Sequence, residues 1–345
     1  MRRHVLLFFL GFTFLCRGFA ADWERISPGG NCICGKNTKF EFLVQEGSEN
    51  KLMIEFMGGG ACFSAVTCSL PEWIPLESID SVLALLSTKP GLHNPKQVTS
   101  NWHKIYVPYC TGDGHVGNNT KHYIDQTVHH MGGVNAEAVL TYAFERFPQV
   151  EQTLTVGQSA GAVATYMWAP RVMAQYPDAE HIMLADSYVP LFGKTGVTNG
   201  LANWNMASSF PYGIVQANYT RWLSYFEGWA ASFSIKVFDT FPKARFGIYA
   251  SNKDVVESSF YRVEGCGMEG CSWSKAMRDV LPWLRGNSSN VYTYIAPGSS
   301  HTQTVDNSEF STKSDGVLLS DWINELIIGN LTRHEVDCEP HCGIF

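Results

Sequence analysis

Gly157-Gln158-Ser159-Ala160-Gly161 spells G-x-S-x-G, and its flanks decide how it is read. Before it, Gln152-Thr153-Leu154-Thr155-Val156 has the length and β-branched content of a short buried strand. After it, Ala162-Val163-Ala164-Thr165-Tyr166-Met167 opens a helix. A serine at such a strand-to-helix elbow sits on a strained turn with its hydroxyl presented above the sheet. Gly157, Ala160 and Gly161 are small enough to let that turn pack tightly. G-x-S-x-G by itself is a frequent chance pattern, so the strand and the helix carry the reading.

Outward from the elbow, short apolar runs alternate with helical spacing. Strands are expected at 52–57, 104–109, 152–156, 181–185, 245–250 and 291–296, and helices at 134–146, 272–285 and 316–328. This alternation predicts an α/β fold, α/β-hydrolase-like, with a mostly parallel central sheet and helices on both faces. Segments 63–103 and 187–243 break the rhythm. The second is dense in aromatics (Trp204, Phe210, Tyr212, Tyr219, Trp222, Tyr225, Phe226, Trp229, Phe233, Phe238 and Phe241), which predicts a helical cap over the site.

A serine nucleophile needs a base, an orienting acid and an oxyanion hole. In the hydrolase order the acid and then the histidine follow the serine. His301 lies in the loop behind the last long strand, where the base belongs; the other histidines after Ser159 begin a strand (His181) or lie in the tail (His334, His341). Two acids compete for the third role. Asp254, two strands past the nucleophile, is favoured over Asp186, one strand past it, which reads as a carboxylate bracing a loop near the site. The oxyanion donors are expected from the Ala160 N–H and from the loop Gly58-Gly59-Gly60 behind an early strand. Gly112-Asp113-Gly114-His115-Val116-Gly117 spells G-x-G-x-x-G, but a sequon follows where a dinucleotide site needs a helix, so no dinucleotide cofactor is expected. Asp113 and His115 are placed instead on the substrate rim.

The compartment is read from the ends and the cysteines. Residues 1–20 have a basic start, an apolar stretch over 5–16 and small residues before Ala20, the pattern of a cleaved secretory signal peptide. That leaves 21–345 as a single catalytic domain with the cap inserted at about 187–243, and no membrane span is expected after it. The chain carries 25 basic and 32 acidic residues; losing Arg2, Arg3 and Arg17 leaves 22 against 32, a balance that disfavours nucleic acid or an anionic membrane as partner. Nine of the ten cysteines lie beyond the signal. Local pairs Cys62–Cys68, Cys266–Cys271 and Cys338–Cys342 are expected, leaving Cys32, Cys34 and Cys110 as an odd set. No C-x-x-C or H-E-x-x-H is present, so no metal is expected. Sequons at Asn118, Asn218, Asn287 and Asn330 fit a glycosylated secreted protein.

Four ordered motifs, Met57-Gly58-Gly59-Gly60-Ala61-Cys62, Val107-Pro108-Tyr109-Cys110-Thr111-Gly112-Asp113, Gly157-Gln158-Ser159-Ala160-Gly161 and Leu184-Ala185-Asp186-Ser187, resemble the pectin acetylesterase family, which also contains the Notum carboxylesterases. The resemblance implies a secreted α/β-hydrolase that removes acyl groups with Ser159 as nucleophile, Asp254 as acid, His301 as base and Gly59, Gly60 and Ala160 as oxyanion donors. It also implies that Cys32 or Cys34 pairs with Cys110. Plant members usually carry Trp where Ala61 stands and Gly where Ala162 stands, so the chain resembles a divergent, non-plant branch. The expected activity is hydrolysis of O-acyl esters, with O-acetyl groups on polysaccharide first. A Notum-like deacylase acting on an acylated protein, and a catalytically silent glycan- or lipid-binding protein, are the alternatives.

Overall fold

A computed structural model of the chain describes residues 23–69, 73, 78–191, 200–210, 229–266, 272–305 and 309–343. The proposed signal peptide, 1–20, lies outside the described residues. The strands in chain order are β1 (Glu24–Ile26), β2 (Phe42–Gln45), β3 (Glu49–Phe56), β4 (Trp102–Val107), β5 (Asn119–Tyr123), β6 (Gln126–His130), β7 (Gln152–Gln158), β8 (Glu180–Asp186), β9 (Arg245–Ser251), β10 (Val291–Ala296), β11 (Lys313–Ser314), β12 (Val317–Leu318) and β13 (Glu335–Asp337). Nine of them form one sheet in the order β1-β2-β4-β3-β7-β8-β9-β10-β13. The run from β4 to β13 is parallel throughout, and β2 and β1 add an antiparallel edge.

Burial on both faces explains the nearly continuous apolar strands. Ile54, Phe56 and Met183 face one core, shared with the helices Gly132–Arg146, Ala160–Gln175, Trp229–Thr240 and Trp273–Asn287 through Val139, Met167, Phe238 and Leu281. Met53, Leu154, Val156 and Leu184 face the other, closed by Trp322, Ile323 and Leu326 of the helix Leu319–Ile328. The expected α/β architecture with helices on both faces is therefore present.

The topology locates the active end. β3 is followed in sequence by β4 on one side and paired with β7 on the other, so the chain reverses its direction of winding between β3 and β7. Ligands of open parallel sheets bind beyond the carboxyl ends of the strands at such a switch. Gly58-Gly59-Gly60 leaves β3 there, and Ser159 leaves β7 there.

Several elements differ from the sequence expectation, each for a local reason. The strand expected at 104–109 ends at Val107, because Pro108 has no N–H for a ladder. The helix expected from 316 starts at Leu319; Asp315 and Gly316, with φ of 45° and 76°, form a two-residue turn that pairs β11 with β12. The interrupting segment 63–103 contains helices Ala65–Ser69 and Ile79–Ser87, the second capped by Ser78 Oγ accepting from the Asp80 N–H at 3.1 Å.

The cap region is described in part. Turns of helix at Gly200–Trp204 and Met206–Ser209 precede the helix Trp229–Thr240, while 192–199 and 211–228, with Tyr212, Tyr219, Trp222, Tyr225 and Phe226, lie outside the described residues. Phe233 and Phe238 are core residues, and Trp204 is held over the nucleophile end by its indole N–H donating to Cys62 O at 2.8 Å.

Candidate active site

Ser159 has φ 53° and ψ −120°, a backbone conformation a side-chain-bearing residue adopts only when its surroundings impose it. The surroundings are its two glycines. A Cβ on Gly157 would stand 2.1 Å from Gly161 O, and one on Gly161 would stand 2.0 Å from Phe56 O. The elbow thus lies directly against the end of β3, and only glycine fits on either side. The Ser159 N–H donates to Asp186 O at 2.8 Å, which pins the turn to β8.

His301 follows β10, and its Nδ1 lies 2.8 Å from Asp254 Oδ2. A carboxylate only accepts, so Nδ1 carries the proton and Nε2 is left as a bare acceptor. Nε2 is buried and has no hydrogen-bond partner. Asp254 follows β9, is fully buried, and is the N-cap of the helix Val255–Val263; its Oδ1 accepts from the Val256 and Glu257 N–H groups at 3.0 and 2.9 Å. One oxygen is spent on the helix and the other on the histidine, so the carboxylate is held without freedom to rotate.

Asp186 takes the bracing role. Its Oδ2 accepts from Gln303 N, Thr304 N and Thr304 Oγ1 at 2.8, 2.7 and 2.7 Å, and its Oδ1 from Ser187 Oγ at 2.9 Å. Ser187 Oγ in turn accepts from the Thr302 N–H at 2.8 Å. The histidine loop is therefore tied down at residues 302, 303 and 304, directly behind His301, and the same residue that anchors the serine anchors this loop. Burial raises the Asp186 carboxyl above the ordinary aspartate range, against the pull of its donors.

A second buried chain runs behind the serine. Gln158 Nε2 donates to Glu55 Oε1 at 2.8 Å and to Thr304 Oγ1 at 3.0 Å, and Glu55 Oε2 meets His93 Nε2 at 2.7 Å. Glu55 stands just before the glycine loop, so this chain ties that loop, the elbow and the histidine loop together.

Gly60, Gly114, Ser159, Ala160, Val163 and Trp204 line a common cleft. Ala160 is the first residue of its helix, where an N–H has no acceptor within the helix. Gly60, at φ 77°, has a conformation suited to glycine. Of the three expected oxyanion donors, Gly60 and Ala160 therefore border the cleft with the serine, and Gly59 does not line it. The loop is braced by the Cys62–Cys68 disulfide and by the Cys62 N–H donating to Gly112 O at 2.8 Å. The cleft is a narrow slot with about 570 Å³ of free space including its mouth.

The residues expected on the rim are not there. Asp113 and His115 are 0% and 1% exposed, and only Gly114 between them reaches the cleft. Asp113 accepts from Thr111 Oγ1, His115 N and Gly132 N at 2.6, 3.1 and 2.7 Å, and His115 Nε2 bonds Met57 O at 2.8 Å. Both are buried braces of the loop ahead of β5. β5 and β6 form a hairpin where a dinucleotide fold would start a helix.

Residues 24–191 match the family model described as Pectinacetylesterase. Over this span the chain is similar to the pectinacetylesterase family. The match covers the glycine loop, the elbow and Asp186; it stops before Asp254 and His301, so the pectinacetylesterase likeness and the His–Asp pair come from separate observations. Comparison with curated proteins finds no match.

Cys34 pairs with Cys110, which joins the N-terminal segment to the end of β4 and leaves Cys32 as a buried free thiol. Cys338–Cys342 is also bridged. Cys266 is disulfide-bonded, and Cys271 lies outside the described residues. Among the described residues one cluster, Asp337, Cys338 and Cys342, has metal-ligand types at close range. The disulfide and the two contacts from Arg278 to Asp337, at 2.7 and 3.2 Å, account for those groups.

Sequence reasoning missed one wall of the cleft. Glu257, Phe260, Tyr261 and Glu264 line it, with Tyr188 and Trp273. Positions 257, 260, 261 and 264 are spaced as one face of a helix, so the signal lay in the spacing directly behind Asp254.

Proposed function

We propose that the chain is a serine carboxylesterase of Ser159–His301–Asp254 type that cleaves O-acyl esters, O-acetyl groups on polysaccharide first. The observation that carries the reading is the His301–Asp254 pair, whose unoccupied Nε2 belongs to a loop tied through Asp186 to the strained Ser159 elbow. His301 Nε2 takes the Ser159 proton as Oγ attacks the ester carbonyl, and Asp254 stabilises the imidazolium that forms. The developing oxyanion accepts from the Ala160 and Gly60 N–H groups, the two expected donors that border the cleft. Collapse expels the alcohol, protonated by His301; water, activated by the same nitrogen, then releases the carboxylate and regenerates the serine.

The pectinacetylesterase match supports an esterase, and the narrow slot beside Ser159 favours a short acyl group. The fatty-acyl deacylase reading has Val163, Leu191 and Phe260 in its favour. The chain is proposed to act outside the cell as a single catalytic domain after cleavage behind Ala20. Three disulfides between described residues and the exposed sequon residues Asn118, Asn287 and Asn330 support this; Asn218 lies outside the described residues.

A fluorophosphonate probe should label the purified protein, Ser159→Ala should abolish labelling, and acetate should be preferred over octanoate among p-nitrophenyl esters. Labelling that persists in Ser159→Ala, or wild type that is neither labelled nor active, overturns the assignment. A preference for octanoate moves it to the deacylase.

A further inference from the structure

Thr302, directly behind His301, is held in a conformation that its own side chain opposes. Its φ is 61°. Among the described residues, eight other than glycine have a left-handed φ, and Thr302 alone of these is β-branched. A branched side chain there is an outlier, because Cβ is pressed against the backbone, and it persists only where the surroundings impose it. The surroundings are Asp186 and Ser187. The N–H groups of Thr302, Gln303 and Thr304 donate in succession to Ser187 Oγ at 2.8 Å and to Asp186 Oδ2 at 2.8 and 2.7 Å. Ser187 is itself at φ 60°, with its N–H donating to Tyr249 O at 3.0 Å and its hydroxyl to Asp186 Oδ1 at 2.9 Å. Ser159, at φ 53°, donates its N–H to Asp186 O. Three of the eight outliers are thus joined around one aspartate. Glycine adopts a left-handed φ at no steric cost, so the turn by itself does not call for threonine. What threonine adds is a restricted backbone and a hydroxyl, and that hydroxyl donates to the His301 carbonyl at 2.7 Å.

We propose that Thr302 is a positioning residue for His301, its strain retained because it fixes the imidazole, so that stability and rate move in opposite directions at this position. This rests on the esterase reading above. Asp254 holds the ring from Nδ1 at 2.8 Å, and the peptide behind the ring is held by the N–H groups of 302–304 and by the Thr302 hydroxyl. With glycine at 302 the left-handed φ is unstrained, other φ values open, and the His301 carbonyl loses its donor. The chain then holds or gains stability, because the steric relief matches or exceeds the entropy that glycine adds to the unfolded state. The base loses its fixed place beside Ser159, and catalysis falls steeply with small misplacements of a reacting group. A merely structural residue would behave otherwise, losing rate only where stability is lost.

The test follows urea denaturation, steady-state hydrolysis of p-nitrophenyl acetate and the rate of fluorophosphonate labelling in wild type, Thr302→Gly and Thr302→Ser. Thr302→Gly should denature at the same or a higher urea concentration, yet lose about tenfold or more in kcat with KM within about twofold. Its labelling rate should fall by a similar factor, since the same base activates Ser159 toward the probe. Thr302→Ser keeps the hydroxyl and drops only the methyl, and should hold kcat within about threefold of wild type. The inference is overturned by a wild-type kcat in Thr302→Gly, or by a loss of kcat there that comes with a lower urea midpoint or a failure to fold. It is equally overturned if Thr302→Ser is as slow as Thr302→Gly. Labelling of wild type separates the two levels. A labelled, active wild type with any of those outcomes refutes the positioning role alone, and a wild type neither labelled nor active refutes the esterase reading and the positioning role with it.

Discussion

Asp254 and Asp186 can be told apart by one isosteric change at each. Asp254 Oδ1 already accepts two backbone N–H groups at the start of its helix. In Asp254→Asn the amide oxygen must stay there, since asparagine caps as well as aspartate only through its oxygen. The amide NH₂ is then forced toward His301 Nδ1, where the carboxylate Oδ2 had been, 2.8 Å away. Two donors cannot face each other, so the imidazole adopts the tautomer protonated at Nε2, which cannot take the serine proton. A loss of about 10⁴ in kcat follows, the size seen when a triad aspartate is made asparagine in serine proteases, with little change in melting temperature because the cap survives.

Asp186→Asn should behave oppositely. Burial already favours the neutral form of that carboxyl, so an amide whose oxygen occupies the Oδ2 position costs little and kcat should stay within about tenfold. Asp186→Ala removes the acceptor altogether. It leaves the Gln303 and Thr304 N–H groups buried and unpaired, at about 1–3 kcal/mol each, or about 2–6 kcal/mol of stability. Single-turnover and steady-state hydrolysis of p-nitrophenyl acetate, with urea denaturation for each variant, measures all three. If Asp186→Asn loses as much kcat as Asp254→Asn, or if Asp254→Asn keeps more than a tenth of wild-type kcat, the assignment of the acid is wrong.

Two further outcomes concern the frame around the site. His115 and His130 are buried and held neutral, with pKa values lowered to about 4; each supplies about 3 kcal/mol that is fully present above the unfolded value of 6.5 and is lost as pH falls toward 4. Asp113, raised to about 6 by burial, runs the other way, its contribution present below about 4 and lost as pH rises through 6. Asp186 is raised by burial too and acts in the same direction as Asp113, so the readable quantity is the difference between variants: from pH 6.5 to 4.5 the stability of His130→Gln by urea denaturation should fall less, or rise more, than that of wild type, and the same pH dependence in both contradicts this. Gly161→Ala places a Cβ 2.0 Å from Phe56 O, a backbone atom that cannot swing away; a loss of about 2–4 kcal/mol and of esterase activity is expected, and wild-type melting with wild-type rate would show that the elbow does not lie against β3.

The elbow, its order relative to Asp254 and His301, and the parallel sheet were legible because each rests on a one-dimensional signal: an apolar run, a helix period, a residue behind a strand. The parts that were not legible rest on weak or nonlocal signals. Asn-Thr-Lys-His-Tyr and Gln-Thr-Val-His-His are too polar to read as strands, yet they pair as β5 and β6. The edge strands β1 and β13 have three residues each. Which of Cys32 and Cys34 meets Cys110 depends on a separation of 76 residues that no local pattern encodes. Asp113 and His115 looked functional by type and lie inside the protein, whereas Glu257 looked like an ordinary helix glutamate and lines the cleft.

The tethers of the site also say which part of it can vary. Strand register sets Gln158 beside Asp186, and the side chains of Glu55, Gln158, Asp186 and Thr304 then join the segments behind β3, β7, β8 and β10 in one buried network. A change in any of these moves the glycine loop, the serine and the histidine loop together, so substrate preference is hard to adjust there without loss of rate. The helix Val255–Val263 is outside that network. Its start is joined to the histidine loop, through the two oxygens of Asp254 and through the Val255 N–H donating to Ser299 O at 3.4 Å. From that fixed end its face at 257, 260, 261 and 264 runs along the cleft. Side chains on that face can be exchanged with the acid, the tautomer and the elbow left in place. On the proposed reading, the catalytic set and this wall of the cleft are then physically separable, joined where Asp254 caps the helix.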